Sequence, residues 1–153
     1  MSVSILEYIA QNIQADINLI TTGEGFNQTL IAHRPRRIDF LDQAWQDKDA
    51  IIKQGDSAKL SDQGLMIDRR QTFEITVIAI DVDSETASID TRLNAIQADV
   101  EKKLYADLTR GGYAYSTSVE GSTMLNPNDG GPGGITITIT VDYRTKTGDP
   151  FTQ

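Results

Sequence analysis

One stretch of strict alternation constrains the fold more than any other part of the chain. From Ile135 to Tyr143 every second residue is isoleucine, valine or tyrosine, and the residues between them are threonines followed by Asp142. Successive side chains of a strand point to opposite faces, so this pattern predicts a β-strand with one apolar face and one threonine face. A bare sheet edge of this composition invites aggregation. The strand is therefore expected to be central in a sheet, covered by another layer, or completed by another subunit.

Two amphipathic helices are predicted from apolar residues that recur every three or four positions. The first follows Ser2 or Ser4, either of which can cap it, and ends near Gly23. Glu7 lies three residues after Ser4, which is the spacing of a capping box. The second helix is predicted from Thr86 to Leu108, before a pair of glycines that ends it.

Further strands are predicted on both sides of the second helix. A short strand covers Gln28–His33, another covers Ala50–Lys53, and a long one runs from Leu65 to Val82. The long strand becomes apolar on both faces toward its end, which is typical of a strand near the middle of a sheet. After the second helix, Tyr113–Val119 alternates and is expected to form a hairpin with the strand at 135–143.

The order of these elements predicts an α+β domain. Two helices are expected to pack on one face of a mainly antiparallel sheet of about four to five strands. A chain of 153 residues is long enough for one domain, which we take as residues 1–153. Polar, glycine and proline residues predict surface loops near 54–64 and 125–134, and a short C-terminal tail at 145–153.

Composition excludes several classes of protein. The chain has no cysteine and one histidine, His33, which rules out disulfides, thiolate metal sites and sites with several histidines. Its formal net charge is -8, from 22 acidic and 14 basic residues, which opposes sequence-independent binding to nucleic-acid phosphates. No apolar run approaches the ~20 residues of a membrane span, and the first residues lack the features of a secretory signal. We therefore expect no membrane partner and a location inside the cell that makes the protein.

No catalytic, cofactor-binding or metal site is predicted. Asp81–Glu85 is the densest acidic cluster, but a calcium loop of the EF-hand type needs glycine and glutamate where the chain has Thr86 and Arg92. We interpret the cluster as a helix N-terminus, where unsatisfied amides favour carboxylates. The glycine run Gly130–Gly134 lacks the lysine of a phosphate-binding loop and precedes a strand. Since no nucleophile accompanies His33 in the sequence, we expect a local hydrogen bond there and no enzymatic activity.

A basic cluster, Arg34-Pro-Arg-Arg37, follows the short predicted strand. Its proline places it in a loop or at a sheet edge. The cluster is either a solvated turn or a charged contact with an acidic partner, because arginine is favoured at interfaces. Together with polar residues of the later loop and the end of the last strand, it supplies the candidate assembly residues: Arg34, Arg36, Arg37, Asn128, Asp129 and Arg144.

In order, length and texture, the chain resembles the tail terminator (tail completion) proteins of tailed bacteriophages, the small subunits that cap the tail tube. The resemblance covers most of the chain. It rests on the following segments: Ile5–Ile13, Ile51–Asp56 before a polar stretch, Gln71–Ile80, Thr86–Leu108, and Ile139–Arg144 followed by Gly148–Phe151.

The resemblance implies a structural protein that forms a ring, usually of six subunits, on the end of the tail tube. Such a ring stops tube polymerisation and offers its other face to the head connector protein. It belongs to the virion tail and is assembled in the host bacterial cytoplasm, and DNA passes through its lumen without tight binding. Other neck, tail-tube and baseplate subunits have similar sizes and overlapping folds. A small acidic α+β ligand-binding domain or enzyme is the alternative from a different class.

Overall fold

The computed structural model describes residues 2–35, 45–80, 89–125 and 133–153. Within these ranges the chain forms two α-helices, one short 3₁₀ turn at Thr22–Glu24, and a five-stranded sheet. The α+β class predicted from the sequence is confirmed. In chain order the elements are α1 (Ile5–Asn18), β1 (Ile31–His33), β2 (Asp49–Asp62), β3 (Met66–Ile78), α2 (Ile89–Tyr105), β4 (Ser116–Leu125) and β5 (Gly134–Lys146).

The strands lie side by side in the order β1-β2-β3-β5-β4. β1 pairs with β2 in parallel, and all the other neighbouring pairs are antiparallel. β3 is therefore the central strand, as its two apolar faces predict. β5 lies between β3 and β4, so the alternating strand predicted at 135–143 is paired on both sides by strands of its own chain.

The core lies between the two helices and one face of the sheet. The five apolar residues of β5 that share this face are at most 5% exposed: Ile135, Ile137, Ile139, Val141 and Tyr143. Phe73, Ile75 and Val77 of β3 extend the same layer, and buried residues of α1 and α2 complete one continuous cluster. Both helices thus pack on the same sheet face, as predicted, because only that face offers an apolar surface along the whole of β5.

Ser4, one of the two serines predicted as possible caps, caps the first helix. Its hydroxyl accepts a hydrogen bond from the backbone N–H of Glu7 at 3.2 Å. The Glu7 carboxylate accepts hydrogen bonds from Arg34 and Gln11, so it links the segment after β1 to α1. The helix stabilisation expected from the Ser4 cap is about 1 kcal/mol.

The second helix ends earlier than predicted. α2 stops at Tyr105, and Leu108, predicted to lie in its apolar stripe, is 43% exposed. The Asp107 carboxylate accepts hydrogen bonds from the backbone N–H groups of Thr109 and Gly111 at 2.9 and 2.8 Å, which stabilises a turn in place of another helical turn. The predicted first residues of this helix, 86–88, lie outside the described residues.

The prediction of a surface loop at 54–64 is wrong. β2 continues to Asp62 and pairs with β3 as far as Asp62↔Ile67, so the turn is confined to Gln63–Leu65. Gly64 adopts a φ of 76°, in the left-handed region that glycine tolerates best. Because residues 55–60 are exposed, they need no apolar alternation, and the usual sequence signal of a strand is missing.

The last hairpin also differs from its predicted bounds. β4 begins at Ser116 and extends to Leu125, whereas the prediction placed this strand at Tyr113–Val119. Of the predicted loop near 125–134, residues 126–132 lie outside the described residues, and Gly134 already belongs to β5. The predicted tail at 145–153 begins inside β5, and its remainder folds back, since Ile5 N–H donates to the Pro150 carbonyl at 3.1 Å.

Candidate assembly surface

The sheet face opposite the helices is mainly polar. One end of it is apolar and buried, where Ile51 and Ile78 are 0% and 2% exposed. The rest carries threonines from β3 and β5, and the hydroxyls of Thr76 and Thr136 lie 3.0 Å apart. We call this surface the threonine face; its threonines are Thr72, Thr76, Thr136, Thr138 and Thr140.

Two cross-strand ion pairs lie at the far end of the threonine face. Arg70 donates to Asp142 at 2.7 and 2.9 Å, and Arg144 donates to Asp68 at 2.6 and 3.1 Å. The partners of each pair face each other directly across β3 and β5. Hydrogen bonds from Arg144 hold the pKa of the Asp68 carboxyl below its usual value, and those same bonds raise the pKa of Arg144. Arg70 and Arg144 therefore remain charged, and each is paired with an aspartate.

Arg34 and Arg144, predicted as assembly residues, lie in different parts of the surface. Arg34 lines a cleft of about 400 Å³ beside α1 and β2, while Arg144 lines another of about 470 Å³ at the end of β5. Arg34 donates two hydrogen bonds to Glu7, at 2.8 and 3.0 Å, and its side chain is 23% exposed. Its charge is thus matched within the chain, and it ties the segment after β1 to α1.

The other predicted assembly residues, Arg36, Arg37, Asn128 and Asp129, lie outside the described residues. So does the acidic cluster Asp81–Glu85. Among the residues the structure describes, no group of three histidine or acidic side chains is placed to hold a metal ion. No helix in the described ranges is long and apolar enough to cross a membrane.

His33 takes part in a local polar cluster at the start of β2. Its Nε2 lies 2.9 Å from Asp49 Oδ1, and the second oxygen of Asp49 accepts the backbone N–H of Gln46 at 2.7 Å. The Trp45 ring lies 5.5 Å from the imidazole and is half-buried. The cluster stabilises the turn into β2 and includes the local hydrogen bond expected for His33.

The sheet also offers two edges that sequence reasoning did not identify. β1 pairs with β2 at Asp49, Ala50 and Ile51, and the exposed stretch of β2 at 55–60 has no partner strand on that side within the described chain. β4 forms the opposite edge. Unpaired backbone groups of an edge are a template for pairing with another chain.

Parts of both edges are capped by side chains. The N–H of Ala32 in β1 donates to the side chain of Asn18 at 2.8 Å, and the Val119 N–H of β4 donates to the Tyr105 hydroxyl at 2.8 Å. Beyond that point, the five residues Gly121–Leu125 carry no charge, and the first four of them are exposed. The sequence signal was weak here, because Gly-Ser-Thr-Met-Leu has no clear alternation.

Comparisons with known proteins give the chain no family. No protein-family model matches it, and no curated protein matches it at a significant level. Function is therefore inferred from the fold, the charges and the sheet edges of the chain itself.

Proposed function

We propose that the protein is a structural subunit of a bacteriophage or prophage tail. As a tail terminator, it assembles as a ring, of six copies, on the end of the tail tube, stops tube polymerisation and provides the joint to the head connector. The observation that carries this proposal is a sheet covered by helices on one face and bounded, among the described residues, by β1 and the exposed stretch of β2 at 55–60 on one side and by β4 on the other. Contacts between unlike edges are head-to-tail, and such contacts close into a ring when the rotation between copies allows it.

The order of elements supports this proposal. A helix, a hairpin of two long strands, a second helix and a closing hairpin follow one another, which is the arrangement that the resemblance to tail terminators implies. The segments that carry the resemblance include most of α1, β3, α2 and the end of β5. They supply much of the core, whereas residues 55–60 of β2 and 121–124 of β4 are exposed.

The charge distribution supports a lumen that DNA crosses without binding. The net charge is -8, and five of the six arginines in the described part of the chain form ion pairs with carboxylates. These pairs are Arg34–Glu7, Arg70–Asp142, Arg92–Asp47, Arg110–Asp16 and Arg144–Asp68. Affinity for nucleic acid comes largely from unpaired cations that displace counterions. We therefore expect such a surface to bind DNA weakly.

Electron microscopy tests the proposal directly. The purified protein is mixed with tail tubes of the phage that lack a terminator, and the tubes are imaged with and without it. We expect ring-shaped caps on one end of each tube and an end to further growth when tube subunits are added. Binding along the tube or at the baseplate end instead would support another tail component. Absence of both rings and caps would contradict the proposed tail-terminator function.

A further inference from the structure

We infer that the end of the sheet at the β2–β3 turn is a two-fold contact surface, on which Leu65 of each copy packs into a cleft of a second copy of this chain. The surface comprises Leu65, Met66, Tyr115 and Phe151, and we call it the apolar end. A two-fold contact links copies in pairs, whereas head-to-tail contacts form rings. The inference therefore goes beyond the proposed function and does not depend on it.

Exposure of apolar side chains is unusually high at this end. Leu65 is the most exposed large apolar side chain among the described residues, at 83%. It lies in the tight turn Gln63–Leu65, where glycine and polar residues are the usual choice. Tyr115 and Phe151 are each 49% exposed. Single exposed apolar residues are ordinary, but a group of them in one place marks an interaction site.

Backbone hydrogen bonds bring these segments together and fix the turn. The N–H and the hydroxyl of Thr147 donate to the two carbonyls of the turn before Met66, at 2.9 and 2.6 Å. The chain after β5 then folds back, because the N–H of Lys146 donates to the carbonyl of Thr152, next to Phe151, at 2.9 Å. Leu65 is thus presented on a fixed backbone, which lowers the entropy cost of binding.

A cleft of about 470 Å³ lies beside this turn. Met66, which follows Leu65, lines it together with Ala114 and Tyr115, so part of its wall is apolar. It is large enough to admit a leucine side chain. Because a protruding side chain and a cleft lie at the same end of the molecule, this surface can be complementary to itself. Two copies related by a two-fold axis then each place Leu65 in the other's cleft.

Charge complementarity favours a second copy as the occupant. Three pairs of opposite charges surround the apolar end: Arg144–Asp68, Lys59–Asp62 and Lys146–Asp149. These pairs add nothing to the net charge of -8, so two copies can approach here with little of the repulsion that their other surfaces cause. A strongly acidic or basic partner finds no opposite net charge in this set.

Sedimentation velocity over a range of concentrations tests the contact. Leu65→Ser removes the protruding side chain, and this variant keeps the fold because Leu65 is so exposed. We expect the wild type to form pairs, of chains or of rings, with a dissociation constant about 100-fold lower than that of Leu65→Ser, since a two-fold contact loses two leucines at once. Leu19→Ser is the matched control. It removes a leucine that is 52% exposed at the end of α1, and it is expected to pair like the wild type.

Cross-linking through a single cysteine shows whether the contact is two-fold, because the chain has no cysteine of its own. Gln63→Cys places a thiol in the exposed turn. We expect a short bismaleimide to give covalent dimers and no larger species, and Leu65→Ser in the same chain to abolish them. The control is Asn94→Cys, at an exposed position of α2 near Arg92, which donates to the Ile80 carbonyl beyond the other end of β3. It is expected to stay monomeric.

Each other result overturns the contact in a recognisable way. Wild-type protein that does not pair, or that pairs no better than Leu65→Ser, would show that the apolar end does not join two copies. If Leu65→Ser associates like the wild type but no longer caps tail tubes, the apolar end docks on the tube instead, and the proposed function stands. Wild-type protein that caps tubes without pairing would also overturn only the contact. Pairing without rings or caps would support the contact and contradict the tail-terminator function.

Discussion

The guanidinium of Arg110 is fully buried and donates to Asp16 Oδ2 at 2.7 Å, which joins the turn after α2 to α1. The same side chain donates to the carbonyl of Leu104 at 2.5 Å and to that of Asp107. Arg110 therefore binds backbone carbonyls at the end of α2 and links this turn to α1.

Asp16→Ala is expected to lower the free energy of unfolding by about 3 kcal/mol, since it leaves a buried cation without its counter-charge. Urea denaturation followed by circular dichroism measures this loss. Glu24→Ala, which removes an exposed carboxylate from the turn after α1, is the control and is expected to change stability by less than about 0.5 kcal/mol. Equal losses for the two variants would show that the Arg110–Asp16 pair adds nothing specific.

The Glu7–Arg34 pair predicts a dependence of stability on pH. Hydrogen bonds from Arg34 hold the pKa of the Glu7 carboxyl below its ordinary value of 4.5. A carboxyl whose pKa is lower in the folded state contributes stability that is fully present above the unfolded pKa and is lost as the pH falls through the folded pKa. Glu7 is 40% exposed, so solvent screening keeps its contribution within about 1 kcal/mol.

The variant Glu7→Gln isolates this contribution. We expect the difference in unfolding free energy between wild type and Glu7→Gln to be constant from pH 7 to about 5 and to shrink as the pH falls below 4.5. Urea titrations at a series of pH values measure it. A difference that stays the same down to pH 3 would mean that the carboxylate charge of Glu7 does not stabilise the fold.

Sequence patterns predicted the parts of the fold that are buried on one side. β5 was predicted because its apolar and threonine residues alternate strictly, and β3 because both of its faces become apolar. The outer half of β2 and the second half of β4 were missed, since an exposed strand needs no alternation and leaves no pattern. Whether these exposed segments form strands depends on the strands that they pair with, and those strands lie elsewhere in the sequence.

The candidate site was harder to predict than the fold. Arg34 was predicted as a candidate assembly residue, in a cluster that is either a solvated turn or a charged contact. Its partner Glu7 is 27 positions away, and the chain has 22 acidic residues, so the sequence does not specify this pair. The position of Arg144 opposite Asp68 follows from the register of β3 and β5, which the sequence does not specify. Which strands form the edges of the sheet depends on strand order, which the structure supplies and the sequence does not.

Gly134 is predicted to tolerate no side chain. A Cβ there would lie 2.3 Å from the Val77 carbonyl oxygen, so the backbones of β3 and β5 would have to separate. We expect Gly134→Ala to destabilise the protein by about 3 kcal/mol, at the upper end of the usual range for overpacking. Gly121→Ala on β4 is the matched control, because nothing lies within 4 Å of a Cβ at that position. Thermal unfolding of both variants gives the comparison; similar melting temperatures would contradict the close approach of β5 to β3.

The two faces of β5 should respond in opposite ways to the same change. Ile137 and Ile139 are 0% exposed, so replacing both by aspartate places two charges in the core without partners. Each buried charge is expected to cost several kcal/mol, and the two together are comparable to the whole stability of a typical domain. The double variant should therefore not fold. Thr138→Asp lies between them on the threonine face, which is only partly buried, and this variant should fold with a loss of about 1 kcal/mol or less. Near-ultraviolet circular dichroism and solubility separate the two cases. A folded Ile137→Asp/Ile139→Asp variant, or an unfolded Thr138→Asp variant, would mean that the helices cover the other face of β5.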